Sequence, residues 1–167
     1  RLGSAKASVF MVEHLLSALF GLGIDNALIE VRGPEIPVGD GSAKFFVEQI
    51  ESAGIEEQKV SREYLAIQKP LFWSEGEVHL VALPATELHI SYTLHYPQSH
   101  LLGSQFCSLT ITPESYCAEI APCRTFCLYE EILPLLQKGA IQGGGLQNAL
   151  VIRNDEILNP DGVRFPD

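Results

Sequence analysis

The sequence predicts an α+β protein, and three observations carry that expectation. A helical apolar stripe opens the chain, the texture changes from helices to short strands after about residue 60, and one later segment alternates strictly between apolar and polar residues. Val12, Leu15, Leu16, Leu19 and Leu22 recur at three- and four-residue steps, so Phe10 to Leu22 reads as an amphipathic helix, with Gly21 and Gly23 as its stop. Its neighbouring face holds Glu13, His14, Ser17, Ala18 and Gly21. The small side chains there let a second helix or a ligand approach the backbone.

Asp25-Asn26 reads as a turn and Ala27 to Val31 as a strand. The segment from Gly33 to Gly41 is rich in Pro and Gly, hence irregular but fixed. Ser42 is placed to cap a second helix, Ala43 to Ala53, which Gly54 ends. The polar stretch Ile55 to Ser61 marks a boundary between two sheet-and-helix subdomains, residues 1–60 and 61–167. Beyond it, Tyr64–Ile67, Leu71–Trp73, Val78–Leu83, Leu88–Tyr96 and Phe106–Ile111 read as strands. Leu88–Tyr96 is the clearest, with Leu88, Ile90, Tyr92, Leu94 and Tyr96 on the face expected to be buried. Thr112-Pro113-Glu114 opens a short helix. A further helix over Leu128–Lys138, interrupted by Pro134, ends at Gly139. Gly143-Gly144-Gly145 forms a tight turn before a strand, Ala149–Ile152, and Asn154-Asp155 is another turn.

Acidic residues outnumber basic ones, 21 to 11, for a net charge of −10. Such a surface repels polyanions, which argues against nucleic acid or an anionic membrane as partner. No apolar run approaches a transmembrane span, and no signal peptide opens the chain, so a cytoplasmic location is expected. Neither Arg1 nor Asp167 looks like a natural terminus. Cys107, Cys117, Cys123 and Cys127 contain no C-x-x-C pair, and are expected to be reduced and mostly buried.

Glu13-His14 is the strongest chemical signal. A zinc hydrolase needs a neutral imidazole as ligand and a carboxylate beside it to take a proton from water, and adjacent helical residues lie about 100° apart, close enough to share a cavity. Taken alone, a Glu-His dipeptide in a helix is more often a solvated surface pair. His89 and His95 share a strand face but lie about 20 Å apart by strand rise, too far for one ion. His79 and His100 have no partner at ligand spacing.

Several stretches together resemble one family, the UDP-3-O-acyl-N-acetylglucosamine deacetylases of lipid A biosynthesis. They are Val12 to Leu19 (VEHLLSAL), Gly23 to Asn26 (GIDN), Glu35 to Ala43 (EIPVGDGSA), Arg124-Thr125-Phe126, and the tail Leu158 to Phe165 (LNPDGVRF). The resemblance runs in order along essentially the whole chain. It implies a layered α+β sandwich, here incomplete at both ends, acting on a UDP-linked acylated glucosamine with Zn²⁺. In it, His14 matches a zinc ligand, Glu13 the general base and Thr125 a hydroxyl that holds the developing oxyanion. Phe126 matches a contact to the substrate sugar. Residues from about 128 to 158 resemble an insert forming an acyl-chain passage, with Ile132, Ile141, Leu146 and Val151 as its walls, although such residues serve equally as ordinary core. The resemblance further implies two zinc ligands beyond Asp167, a His and an Asp. A later general-acid His, phosphate-binding Lys and Arg, and strands before Arg1 are implied likewise. A chain without those ligands is expected to be inactive alone. The rival expectation is a non-catalytic nucleotide-sugar or acyl-chain binding module of the same fold. Oligomeric state is left open.

Overall fold

The structure is a computed structural model that describes residues 1–5 and 7–165; Asp167, named above as the chain's end, lies outside the described residues. A short antiparallel pair, β1 (Leu2–Gly3) and β2 (Ser8–Val9), leads into helix α1 (Glu13–Gly21) and helix α2 (Lys44–Ala53). Two antiparallel hairpins follow, β3 (Leu71–Glu75) with β4 (Val78–Ala82), and β5 (His89–Tyr96) with β6 (Gly103–Thr110). Helix α3 (Pro113–Ser115) continues as a π-helical turn, Tyr116–Ile120. The last unit is β7 (Phe126–Leu128), α4 (Tyr129–Gln137), β8 (Leu150–Arg153) and β9 (Glu156–Ile157), with β8 central, parallel to β7 and antiparallel to β9. Helices and small sheets together make the expected α+β fold.

Local chemistry accounts for the element ends. Thr112 caps α3, accepting from Ser115 N at 3.2 Å while Ser115 Oγ accepts from Thr112 N at 2.9 Å. Asn154 and Asp155 both take positive φ, 50° and 61°, the requirement of a tight two-residue hairpin between β8 and β9. α4 accommodates Pro134 and stops at Gly139, φ 73°.

The core forms two clusters. In one, Ala18, Ile36, Ala43, Phe46 and Val47 meet Tyr116 and Ala121, so residues from both sides of residue 60 pack together. The other gathers Leu102, Leu128 and Ile152, with Tyr96, Phe126 and Ile157 against it.

Three expectations need correction. Ala27–Val31 and Tyr64–Ile67 have strand composition but form no strand, because no neighbouring segment among the described residues pairs with their backbone; Leu28 is 90% exposed. Gly21 does not itself stop α1: it is the last helical residue, the left-handed turn comes at Gly23 (φ 71°), and a Cβ at Gly21 would fall 2.3 Å from the Tyr116 ring. Finally, the apolar face of β5 is only partly covered, with Ile90 and Tyr92 exposed. All four cysteines carry reduced thiols; Cys107 is exposed and the others half-buried. No helix among the described residues is long and apolar enough to cross a membrane.

Candidate active site

Glu13 and His14 owe their position to the backbone that precedes them. Phe10 N donates to Pro34 O at 2.8 Å and Ile36 N donates to Phe10 O at 3.1 Å, a parallel bridge centred on Phe10 and Glu35. Met11 then turns the chain with φ 56°, a left-handed conformation that costs a non-glycine residue on the order of 1–3 kcal/mol. Packing of Met11 and Val12 against the first core cluster offsets it. The helix begins at Glu13, whose carboxylate lies in the first turn, where the helix dipole favours negative charge. Glu13 is exposed and His14 half-buried. Helices approach the small-residue face running on from His14: Ala18 is buried with Phe46 and Val47 of α2, and Tyr116, from the π-helical turn, lies on it with its hydroxyl 2.8 Å from Ser17 Oγ and its ring against Gly21.

Thr125 is tied to the same region through the loop after Pro37. Thr125 N donates to Gly41 O at 2.7 Å, and Leu150 N donates to Thr125 O at 2.9 Å. Both backbone groups are therefore fixed while the residue itself is exposed. Gly41 must be glycine: φ is 86°, and a Cβ would meet Asn148 O at 2.2 Å. Asp40 stiffens this corner, with Oδ1 accepting from Ser42 Oγ at 2.7 Å and Ser42 N at 3.1 Å. Ser42 is fully buried, and its Oγ in turn accepts from Lys44 N at 3.2 Å, so it supports the start of α2 from one residue before the cap. Burial disfavours the ionised Asp40, but the Ser42 hydrogen bonds and the Arg164 charge outweigh it and lower its pKa below the ordinary 3.8.

Of the remaining sequence-predicted residues, Phe126, Ile132, Leu146 and Val151 gather around β7 and β8. Phe126 sits on β7 with its ring edge-to-face on Tyr96, centroids 5.6 Å apart. Val151 pairs with Cys127 across the parallel ladder and is buried, and Ile132 is half-buried on α4, which packs over both strands. Leu146 is half-buried and linked to Val151 by Asn159: its carbonyl accepts from Asn159 Nδ2, and Asn159 Oδ1 accepts from Val151 N, both at 2.8 Å. Ile141 stands apart at a turn, φ 59°, its carbonyl accepting from Gly144 N. Sequence reasoning gave Asn159 no role. A buried Asn before Pro has a weak local signal, because its three bonds all reach back more than seven residues.

An apolar groove of about 260 Å³ lies elsewhere, lined by Phe20, Ile90, Tyr92, Leu109 and Tyr116 among others, and none of the sequence-predicted site residues borders it. Among the described residues no three His, Cys, Asp or Glu side chains are grouped to hold a metal ion. His14 alone offers one imidazole, whereas a catalytic zinc takes three protein ligands. No such three-ligand site is therefore complete among the described residues.

A family model described as LpxC: UDP-3-O-acyl N-acetylglycosamine deacetylase matches residues 1–167. The chain belongs to this family. Relatives named UDP-3-O-acyl-N-acetylglucosamine deacetylase from Chlamydia pneumoniae, Chlamydia felis (strain Fe/C-56) and Chlamydia abortus (strain DSM 27085 / S26/3) are 47%, 44% and 43% identical to it. Each match covers 99% of this chain and 59% of the relative, so the chain spans about three-fifths of the length of these deacetylases. Within the family frame, the bridge at Phe10 and the bond between Gly41 and Thr125 have a common effect. They join by main chain the stretches that begin α1, turn at Asp40 and enter β7.

Proposed function

We propose that the protein carrying this chain is a zinc-dependent amide hydrolase that removes acetate from UDP-3-O-acyl-N-acetylglucosamine in lipid A synthesis, in the cytoplasm. The observation that carries the reading is the family match along the entire chain, residues 1–167. In this reading His14 contributes one zinc ligand, and the ion, when bound, polarises a water toward hydroxide. The Glu13 carboxylate takes the proton of the attacking water. The Thr125 hydroxyl, presented from a backbone fixed at both N and O, donates to the oxyanion that develops on the acetamide oxygen. Phe126 contacts the sugar, and Ile132, Ile141, Leu146 and Val151 line the way for the acyl chain within the insert at about 128–158.

The direct test is acetate release from UDP-3-O-acyl-N-acetylglucosamine by the complete protein, with and without a chelator. The reading expects release that a chelator abolishes and added zinc restores; release indifferent to the chelator would overturn the zinc role, and none at all the hydrolase role. The isolated 167 residues are expected to bind zinc weakly and to release no acetate, because a single imidazole is a poor zinc site. Tight, stoichiometric zinc binding by them in calorimetry would contradict that. Binding of the substrate by the complete protein without turnover would instead favour a non-catalytic nucleotide-sugar or acyl-chain module.

A further inference from the structure

Four charged side chains form a row of three ion pairs, and the hydrogen bond that holds Thr125 closes that row into a ring. Asp40 precedes Gly41, whose carbonyl accepts from Thr125 N at 2.7 Å, and Arg124 precedes Thr125. Arg124 Nη1 lies 3.7 Å from Asp161 Oδ2, the same oxygen lies 3.2 Å from Arg164 Nε, and Arg164 Nη1 lies 3.5 Å from Asp40 Oδ2. The signs alternate along the row Arg124, Asp161, Arg164, Asp40, so Asp161 and Arg164 each have an opposite charge on both sides.

The four members differ in burial, and that gives the ring a direction. The Arg124 side chain is 1% exposed. A buried guanidinium is costly unless its partners stay in place, so Arg124 holds Asp161 and, through a 2.7 Å bond from Nη2, the carbonyl of Gly162. Arg164, three residues beyond Asp161, is thereby aimed at Asp40, and its Nη2 also donates to the Asp40 carbonyl at 3.4 Å. Asp40 is anchored on its other oxygen by Ser42. The segments at 38–42 and 159–165 are irregular, and irregular surface backbone opens easily unless something ties it down.

We propose that Asp40, Asp161 and Arg164 are positioning residues for Thr125: through the ring they hold the Gly41 carbonyl against Thr125 N and so fix where the hydroxyl points. The proposal rests on the deacetylase reading for what that hydroxyl does; the hold on the backbone stands on geometry alone. An oxyanion donor acts only when placed before charge develops, and misplacement by about 1 Å costs on the order of a hundredfold in rate.

The test is Arg164→Ala in the complete protein, a substitution at a half-exposed side chain that leaves both core clusters untouched. Two readouts are needed, amide hydrogen exchange at Thr125 and steady-state acetate release. Exchange at Thr125 is expected to accelerate by about tenfold while the amides of β5 and β6 stay unchanged. The kcat is expected to fall by on the order of tenfold at unchanged KM. Because the ring acts through Thr125, Thr125→Ala/Arg164→Ala should show the same kcat as Thr125→Ala alone. Unchanged exchange at Thr125, or losses that multiply in the double variant, would overturn the proposal. If the unsubstituted complete protein releases no acetate, the deacetylase reading falls, and exchange at Thr125 still decides the ring.

Discussion

Replacing Gly21 by Ala should destabilise the protein although it removes a glycine from a helix. On propensity alone the change stabilises, by at most about 1 kcal/mol and by less near the helix end. Against this, the added Cβ would sit 2.3–2.4 Å from three atoms of the Tyr116 ring, far inside contact distance. Tyr116 is 4% exposed and packed among Ala18, Phe46 and Val47, so the ring can retreat only toward the apolar groove it lines, at the expense of those contacts. Overfilling a tight core costs about 1–3 kcal/mol. Displacing the ring also threatens its 2.8 Å hydrogen bond to Ser17, with about 0.5–1.5 kcal/mol at stake. The expected net loss is about 1–3 kcal/mol, read as a lower urea midpoint at unchanged slope. The sign reverses once the ring is gone: in a Tyr116→Ala background, Gly21→Ala should be neutral or stabilising. A more stable Gly21→Ala single variant, or the same loss in both backgrounds, would refute the close approach of the ring to α1.

Asn159→Ala should cost about 2–4 kcal/mol in chemical denaturation, because it leaves Val151 N buried without its acceptor and frees the carbonyls of Leu146 and Ala149. Gly41→Ala should cost about 3 kcal/mol or more, since the fixed Asn148 carbonyl occupies the Cβ position and φ is 86°; a melting temperature within error of the parent would contradict it. The lowered pKa of Asp40 makes its contribution to stability complete above the ordinary value of 3.8 and lost as pH falls through the still lower folded value. Urea midpoints measured against pH should therefore show a shallower acid limb in Asp40→Asn.

What sequence reasoning could read depended on how local each signal is. The α1 helix, the Thr112 cap, the Asn154-Asp155 turn and the existence of β5 are decided within a few residues, and the structure agrees with each. Ala27–Val31 and Tyr64–Ile67 show the limit, since composition says that a segment suits a strand but not that a partner strand lies beside it. Gly21 shows another, because a close approach to a residue 95 positions away looks like a helix stop when read alone. The candidate site divides in the same way. Glu13-His14 is visible as a dipeptide, whereas the hold on Thr125 depends on Gly41, Asp161 and Arg164, which meet only in three dimensions.

The central claim is that Glu13 and His14 serve hydrolysis. It is tested most directly by acetate release and zinc content of the complete protein carrying Glu13→Gln. The account predicts unchanged zinc stoichiometry and a kcat reduced by about 10²–10⁴-fold, the usual contribution of a general base. Turnover close to that of the unsubstituted protein would contradict it.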